Sequence, residues 1–186
     1  MSVQIERRWF SVEEFDRMIR TGILAEDERV ELIEGEIVKM SPIEKLHAAC
    51  VKRITAHFYR LVGRYVTISV QDPVHLNDFS RPQPDVFLLK PRDDFYVQAH
   101  PTPDDILLIV EVADTTINYD RKVKVPLYAR AGISVVWLVD LQRDLIEIYA
   151  QPTNGAYQQV REAKRGDILT LESLPGFKLG VDEILG

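Results

Sequence analysis

The stretch Ile106-Leu-Leu-Ile-Val-Glu-Val112 decides how this chain is read. Its apolar residues do not alternate with polar ones, so it predicts a strand buried on both faces of a sheet. One residue breaks the run. Glu111 places an ionisable carboxylate inside that strand, which is costly unless the carboxylate is paired with a cation or coordinated to one. Two partners stay open at this point: a structural Arg or Lys, or a metal ion shared with a second carboxylate.

Downstream of the strand, Val123, Leu127, Tyr128 and Ala131 form the apolar side of a helix with Thr116 or Asn118 as N-cap candidates and Gly132 as its stop. Pro126 sits inside this pattern and should kink the helix or push its start later. Asp120, Lys124 and Tyr128 fall at i, i+4 and i+8 and stack along one face; Lys122, the competing lysine, lies on a different side. The Asp120–Lys124 spacing is equally that of an ordinary surface ion pair. A buried strand at Val135 to Val139, a turn at Asp140 to Asp144 and an antiparallel partner at Leu145 to Tyr149 follow. Tyr157 to Val160, a turn at Arg165-Gly166-Asp167 and an irregular close through Pro175-Gly176-Phe177 complete the chain.

Upstream, Pro84-Asp85 opens a short strand at Val86 to Leu89, preceded by strands at Tyr65 to Val70 and Val74 to Leu76. Leu46, Ala49, Cys50, Ile54, Phe58 and Leu61 recur at helical spacing, predicting a helix of about 44 to 62 that Gly63 ends. His47 shares a side with Val51, Ile54 and Phe58, as an interior histidine or as a participant in chemistry. Ser11 with Glu14 caps a short helix ending near Gly22, and Val30 to Met40 alternates as a hairpin around Glu34-Gly35-Glu36. The order predicts an α/β (α+β) fold: a mixed β-sheet flanked by helices, with added β-hairpins, as a single domain over residues 1–186.

At 186 residues the chain can bury one sizeable core. Its longest apolar stretch is too short to cross a bilayer, and Met1 to Arg8 does not read as a signal peptide, so a cytoplasmic protein is expected. Cys50 stands alone, excluding a disulfide within one chain, and the histidines at 47, 57, 75 and 100 are too dispersed to form a zinc motif. The formal net charge of −6 counts against a grip on duplex DNA. Two locally basic stretches could offset it: Lys45, Lys52, Arg53, Arg60 and Arg64, and then Arg121, Lys122, Lys124 and Arg130. Alone, such stretches are solvated helix faces.

Asp85 at the mouth of one strand, Glu111 near the end of another and Lys124 on the following helix are the parts that a Mg²⁺-dependent (or Mn²⁺-dependent) phosphodiesterase needs. A hard cation takes carboxylate and carbonyl oxygens, here Asp85, Glu111 and the Val112 carbonyl, and an ammonium steadies the attacking water or the phosphoryl oxygens. Asp85 alone could equally cap a turn. Glu31, Glu34 and Glu36 could add a carboxylate, although hairpin glutamates are usually solvated.

Glu31-Leu-Ile-Glu-Gly-Glu-Ile37, His47, Pro84-Asp85-Val86, Glu111-Val112, Asp120-Arg-Lys-Val-Lys124-Val-Pro-Leu-Tyr128, Gly132-Ile133 and Val136-Trp-Leu-Val-Asp140 occur in this order. The set resembles the Uma-type restriction endonuclease family, once catalogued as domain of unknown function 820, over nearly the whole chain. That family looks like a branch of the PD-(D/E)XK nuclease superfamily. The resemblance implies a restriction-endonuclease-like core in which Asp85 matches the Asp of the first half-motif and Glu111 the acidic residue of the second. The superfamily's lysine usually lies two residues after that acid, where this chain has Ala113; the resemblance places it at Lys124 instead. The function so implied is hydrolysis of DNA phosphodiester bonds, with His47, Asp120 and Tyr128 as supports. A homodimer is expected by analogy, since duplex cleavage needs two sites. The rivals are a catalytically inactive binding or scaffold protein of the same fold and a hydrolase of small phosphoesters.

Overall fold

A computed structural model describes residues 7–25 and 27–186, so the leader reading of the first residues lies, for 1–6, outside them. Six strands form one sheet in the order β3-β4-β5-β6-β7-β8: β3 (Thr67–Ser69), β4 (Val86–Leu89), β5 (Ile106–Ala113), β6 (Val135–Asp140), β7 (Leu145–Thr153) and β8 (Ala156–Lys164). Every neighbouring pair is antiparallel except β5 and β6, which run parallel with Glu111 opposite Leu138. A parallel pair needs a crossover, and this one is helical: α3 (Ile117–Tyr119), a π turn (Asp120–Lys124) and α4 (Val125–Arg130). β5 is the buried strand predicted from its apolar run.

Helix α2 (Lys45–Val62) covers one face of the sheet with the C-terminal α5 (Val181–Leu185) and the small pair β9 (Ile168–Leu169) and β10 (Leu179–Gly180). Between them lies a core in which Trp137 stacks at tilted angles on Phe58 and Phe177, with ring centroids 6.2 and 6.1 Å away. Arg53 of α2 donates to the carbonyls of Ile184 and Leu185, satisfying acceptors at the last turn of α5. The opposite face carries the α3–π–α4 crossover over Ile109, Ala113, Val136 and Leu138. A third cluster joins α1 (Val12–Arg20) to β1 (Val30–Ile33), which pairs with β2 (Glu36–Lys39) through a two-residue turn. Both turn residues have positive φ, Glu34 at 49° and Gly35 at 82°, and a Cβ at Gly35 would lie 2.7 Å from Trp9 Cβ. The Ser11–Glu14 capping box opens α1 as predicted.

Four expectations need correction. Val74 to Leu76 is not a strand. Its N–H groups bond in turn to the carbonyls of Pro82, Pro101 and Ser80, and the two prolines have no N–H to return, so no ladder forms. β7 runs past Tyr149 to Thr153 and β8 past Val160 to Lys164, because Asn154-Gly155 makes a tight turn with φ of 52° and 76° that holds Pro152 in register opposite Tyr157. The irregular close contains a short strand and α5. Pro126 does not delay the crossover helix: it stands in the first turn of α4, and the wider π turn before it, with Val125 N–H bonded to Asp120 O, accommodates the ring.

Arg121, on the outer side of that π turn, forks onto Glu147 of β7 at 2.6 and 3.0 Å and reaches Asp140 of β6 at 3.3 Å. Burial alone would raise the Glu147 carboxyl, but this guanidinium and the Tyr149 hydroxyl bring it below the ordinary range. Arg121→Met should therefore cost about 1–3 kcal/mol at pH 7, less than the loss of a fully buried pair because the guanidinium is partly exposed. The loss should shrink as pH falls below the ordinary carboxylate range. Urea titrations at pH 7 and pH 4 check this, and equal losses at both would contradict it.

Candidate active site

One cavity of about 360 Å³ opens between the β1–β2 hairpin, the start of α2, the ends of β4 and β5 and the crossover helix. Its polar wall contains Glu31, His47, Asp85, Glu111, Tyr119, Asp120 and Lys124. The fold explains each placement. β5 alternates, so Leu108, Val110 and Val112 face α2 while Ile109, Glu111 and Ala113 face the crossover. Helical spacing and the π turn then bring Asp120, Lys124 and Tyr128 over Glu111, all of them buried.

Glu111 is 2% exposed. Its Oε1 accepts a hydrogen bond from the Tyr128 hydroxyl at 2.5 Å and lies 3.3 Å from Lys124 Nζ. The ammonium of Lys124 is also 3.2 Å from Glu31 Oε2. Of the two partners left open for Glu111, the structure shows a lysine. Burial pushes the Glu111 carboxyl up to about 8, with Lys124 opposing the shift and Asp85 and Asp120 adding to it. Burial likewise raises Asp120, against the pull of Lys124. Lys124 stays firmly an ammonium, because the surrounding carboxylates outweigh its own burial.

Asp85 does not stand exposed at a strand mouth. It is 7% exposed and accepts three hydrogen bonds: from His47 Nε2 at 2.9 Å, the Val112 N–H at 2.9 Å and Gln71 Nε2 at 3.0 Å. Burial would raise its carboxyl, but these donors, His47 foremost, hold it below the ordinary range. The other ring nitrogen of His47, Nδ1, is buried without a partner. His47 is therefore only in part the interior histidine of the helix pattern: its α2 neighbours enter the core while its ring meets Asp85.

Lys122 is exposed, whereas Lys124 lines the cavity. Glu34 and Glu36 are solvated and pair with Arg130 and Arg7. Glu31 is the correction: it is 2% exposed and faces Lys124 and the Gln83 N–H. Its signal was present, because Glu31 interrupts Val30-Glu-Leu-Ile33 as Glu111 interrupts its own run. Gln71, Gln83 and Tyr119 carried no pattern in the sequence, since loop geometry brings the glutamines in.

The second basic stretch is largely spent within the chain, and the first in part, with Lys45, Lys52 and Arg64 exposed. Arg53 bonds to α5 carbonyls, Arg60 to Glu183, Arg121 to Glu147 and Asp140, and Arg130 to Glu34. Among the described residues no group of three or more His, Cys, Asp or Glu side chains forms a ready metal cage. No helix among them is long and apolar enough to cross a membrane.

The chain was compared with known families and structures. No curated protein matches it. A protein from Anabaena variabilis described as a "putative nuclease belonging to DUF820" has the same fold with a TM-score of 0.72, at 14% identity over 95% of this chain and 97% of that one. Residues 12–182 match the family described as "Uma2: Putative restriction endonuclease". That match runs from α1 into α5 and spans every residue of the cavity wall, so the chain belongs to the Uma2 family.

Proposed function

We propose that this protein is a metal-dependent endonuclease that hydrolyses phosphodiester bonds in DNA. The observation that carries the reading is the convergence of four buried carboxylates, Glu31, Asp85, Glu111 and Asp120, on one cavity with a single buried ammonium, Lys124. Four such acids against one lysine leave negative charge that a cation would offset, and the donor set is oxygen-rich, as Mg²⁺ or Mn²⁺ prefers. Both contacts made by Glu111 fall on Oε1 and none on Oε2. The residues thus fit a divalent ion: Asp85 and Glu111 would hold it, with the Val112 carbonyl as a further ligand. When bound, such an ion supplies charge neutralisation at the phosphate and a more acidic water.

The chain's own residues do the rest. His47, Gln71 and the Val112 N–H fix the Asp85 carboxylate, and Tyr128 fixes that of Glu111. Glu31 and Asp120 keep Lys124 charged and in place, leaving an ammonium that can position the attacking water or meet charge developing on the phosphoryl oxygens. The buried wall around them limits competing water.

One observation favours the rival reading of an inactive binding or scaffold protein, namely the internal pairing of Arg53, Arg60, Arg121 and Arg130. The two separate by experiment. Plasmid and branched DNA should be cut with Mg²⁺ or Mn²⁺ by the wild type and at least about a hundredfold more slowly by Asp85→Ala and Glu111→Ala. Calorimetric titration with Mn²⁺ should show a site that Asp85→Ala loses. Equal trace cleavage by wild type and variants, with no carboxylate-dependent site, would leave the scaffold.

A further inference from the structure

Tyr119 lines the cavity, and its hydroxyl is fully buried without a hydrogen-bond partner. Nearly all buried polar groups are bonded, so an orphaned hydroxyl on a cavity wall points to a ligand. Its charged surroundings are Glu31, Lys124, Asp120 and Glu111. Burial, then the charge of Glu31, raises the phenol, so it is a neutral O–H donor throughout the working pH range. The backbone supplies the second observation. Tyr119 immediately precedes the π turn Asp120–Lys124, and the residue five along in such a turn stands over the first, as the fourth does in an α-helix. The extra residue therefore brings Lys124 to the side of the helix that carries Tyr119, where ordinary α geometry would turn the two apart. Lys124 spends two contacts on Glu31 and Glu111, and an ammonium has three donors.

We infer that the Tyr119 hydroxyl and the remaining N–H of Lys124 form a two-donor cradle for a non-bridging oxygen of the substrate phosphate, with the π turn setting their register. This deepens the phosphodiesterase reading and rests on it. The acceptor is a phosphoryl oxygen because a hydroxyl and an ammonium N–H suit a charge-bearing oxygen once a cation offsets the carboxylates around them, and a nucleobase edge would offer no charge to the ammonium.

Tyr119→Phe removes only the hydroxyl and leaves no donor unsatisfied, so its thermal midpoint should equal or slightly exceed that of the wild type. DNA cleavage should fall about tenfold to a hundredfold in kcat, with KM little changed, as for loss of one donor to a charge-bearing oxygen. Calorimetric titration with inorganic phosphate at fixed Mg²⁺ should show affinity about three- to tenfold weaker in Tyr119→Phe, whether or not the protein turns over. Wild-type cleavage with an unimpaired Tyr119→Phe overturns the cradle and leaves the nuclease standing. No wild-type cleavage, with phosphate binding that still depends on Tyr119, overturns the nuclease and leaves the cradle. Phosphate affinity that is absent or equal in both proteins overturns the cradle, as does a lowered midpoint that accounts for the loss.

Discussion

Lys124→Met is expected to abolish DNA cleavage and to destabilise the fold by about 3–5 kcal/mol at pH 7.5 in chelator, the range for breaking a buried ion pair by removing one partner. The reason is the charge count at one point in the structure. Lys124 Nζ sits 3.2 and 3.3 Å from Glu31 and Glu111, and Asp120 and Asp85 add to the field around it. Methionine fills a similar volume, so the loss is electrostatic and not a cavity. For a chain of this size it corresponds to a fall in the thermal midpoint of roughly 6–20 °C. A double-mutant cycle makes the claim specific. Glu31→Gln removes one of the stranded carboxylates, so the double variant Lys124→Met/Glu31→Gln should recover part of the stability lost by Lys124→Met alone, a non-additivity of about 1–3 kcal/mol. Lys122→Met, on an exposed side of the same turn, should change stability within about 0.5 kcal/mol and leave cleavage intact. Additive losses in the cycle, or a Lys122 variant as damaged as Lys124→Met, would contradict the assignment of the buried ammonium.

How much of this was legible in the sequence depends on which physical rule governed each residue. The apolar run of β5 was readable because burial on both faces leaves no alternation, and Glu111 stood out because nothing in such a run is polar without cause. The same rule applied to Val30-Glu-Leu-Ile33 would have found Glu31, but a four-residue strand beside a turn reads as a solvated hairpin. What buries it is a long-range event: Leu32 bridges Arg81, and the segment through Gln83 closes over Glu31. Asp85 was found for its position and misread in its exposure, since the donors from α2, β5 and Gln71 come from three distant parts of the chain. The π turn was not readable as such. Pro126 announced a disturbance in the helix, yet whether a ring clash yields a kink, a late start or a widened turn depends on what holds the preceding residues, here Arg121 on Glu147 and Asp140. The hairpin β7–β8 carries a sequence signal in Asn154-Gly155, which outweighs the strand-breaking tendency of Pro152.

Glu111→Gln should change the pH dependence of stability in a direction that its environment dictates. The folded carboxyl is pushed up to about 8 by burial, against an ordinary 4.5 in the unfolded chain. Between those values the folded protein holds a proton that the unfolded chain has released, so the contribution is full below pH 4.5 and is lost as pH rises through 8. Glutamine is neutral throughout and has no such loss. In chelator, Glu111→Gln should therefore match the wild type near pH 4.5 and exceed it by on the order of 4 kcal/mol at pH 8.5. Asp85 and Glu147, held low by their donors, add a stabilising trend in the opposite direction, but they are present in both proteins and cancel in the difference. Added Mn²⁺ should reverse the order, raising the wild-type midpoint with little effect on the variant, because a cation stabilises only the state that binds it. Its affinity for the wild type should climb with pH up to about 8, since binding must displace the proton on Glu111. Parallel stability curves for the two proteins from pH 4.5 to 8.5 would show that Glu111 is not the strained acid of the site. Curves that diverge as pH rises would show that its carboxylate is held ready for a cation at a cost to the empty fold.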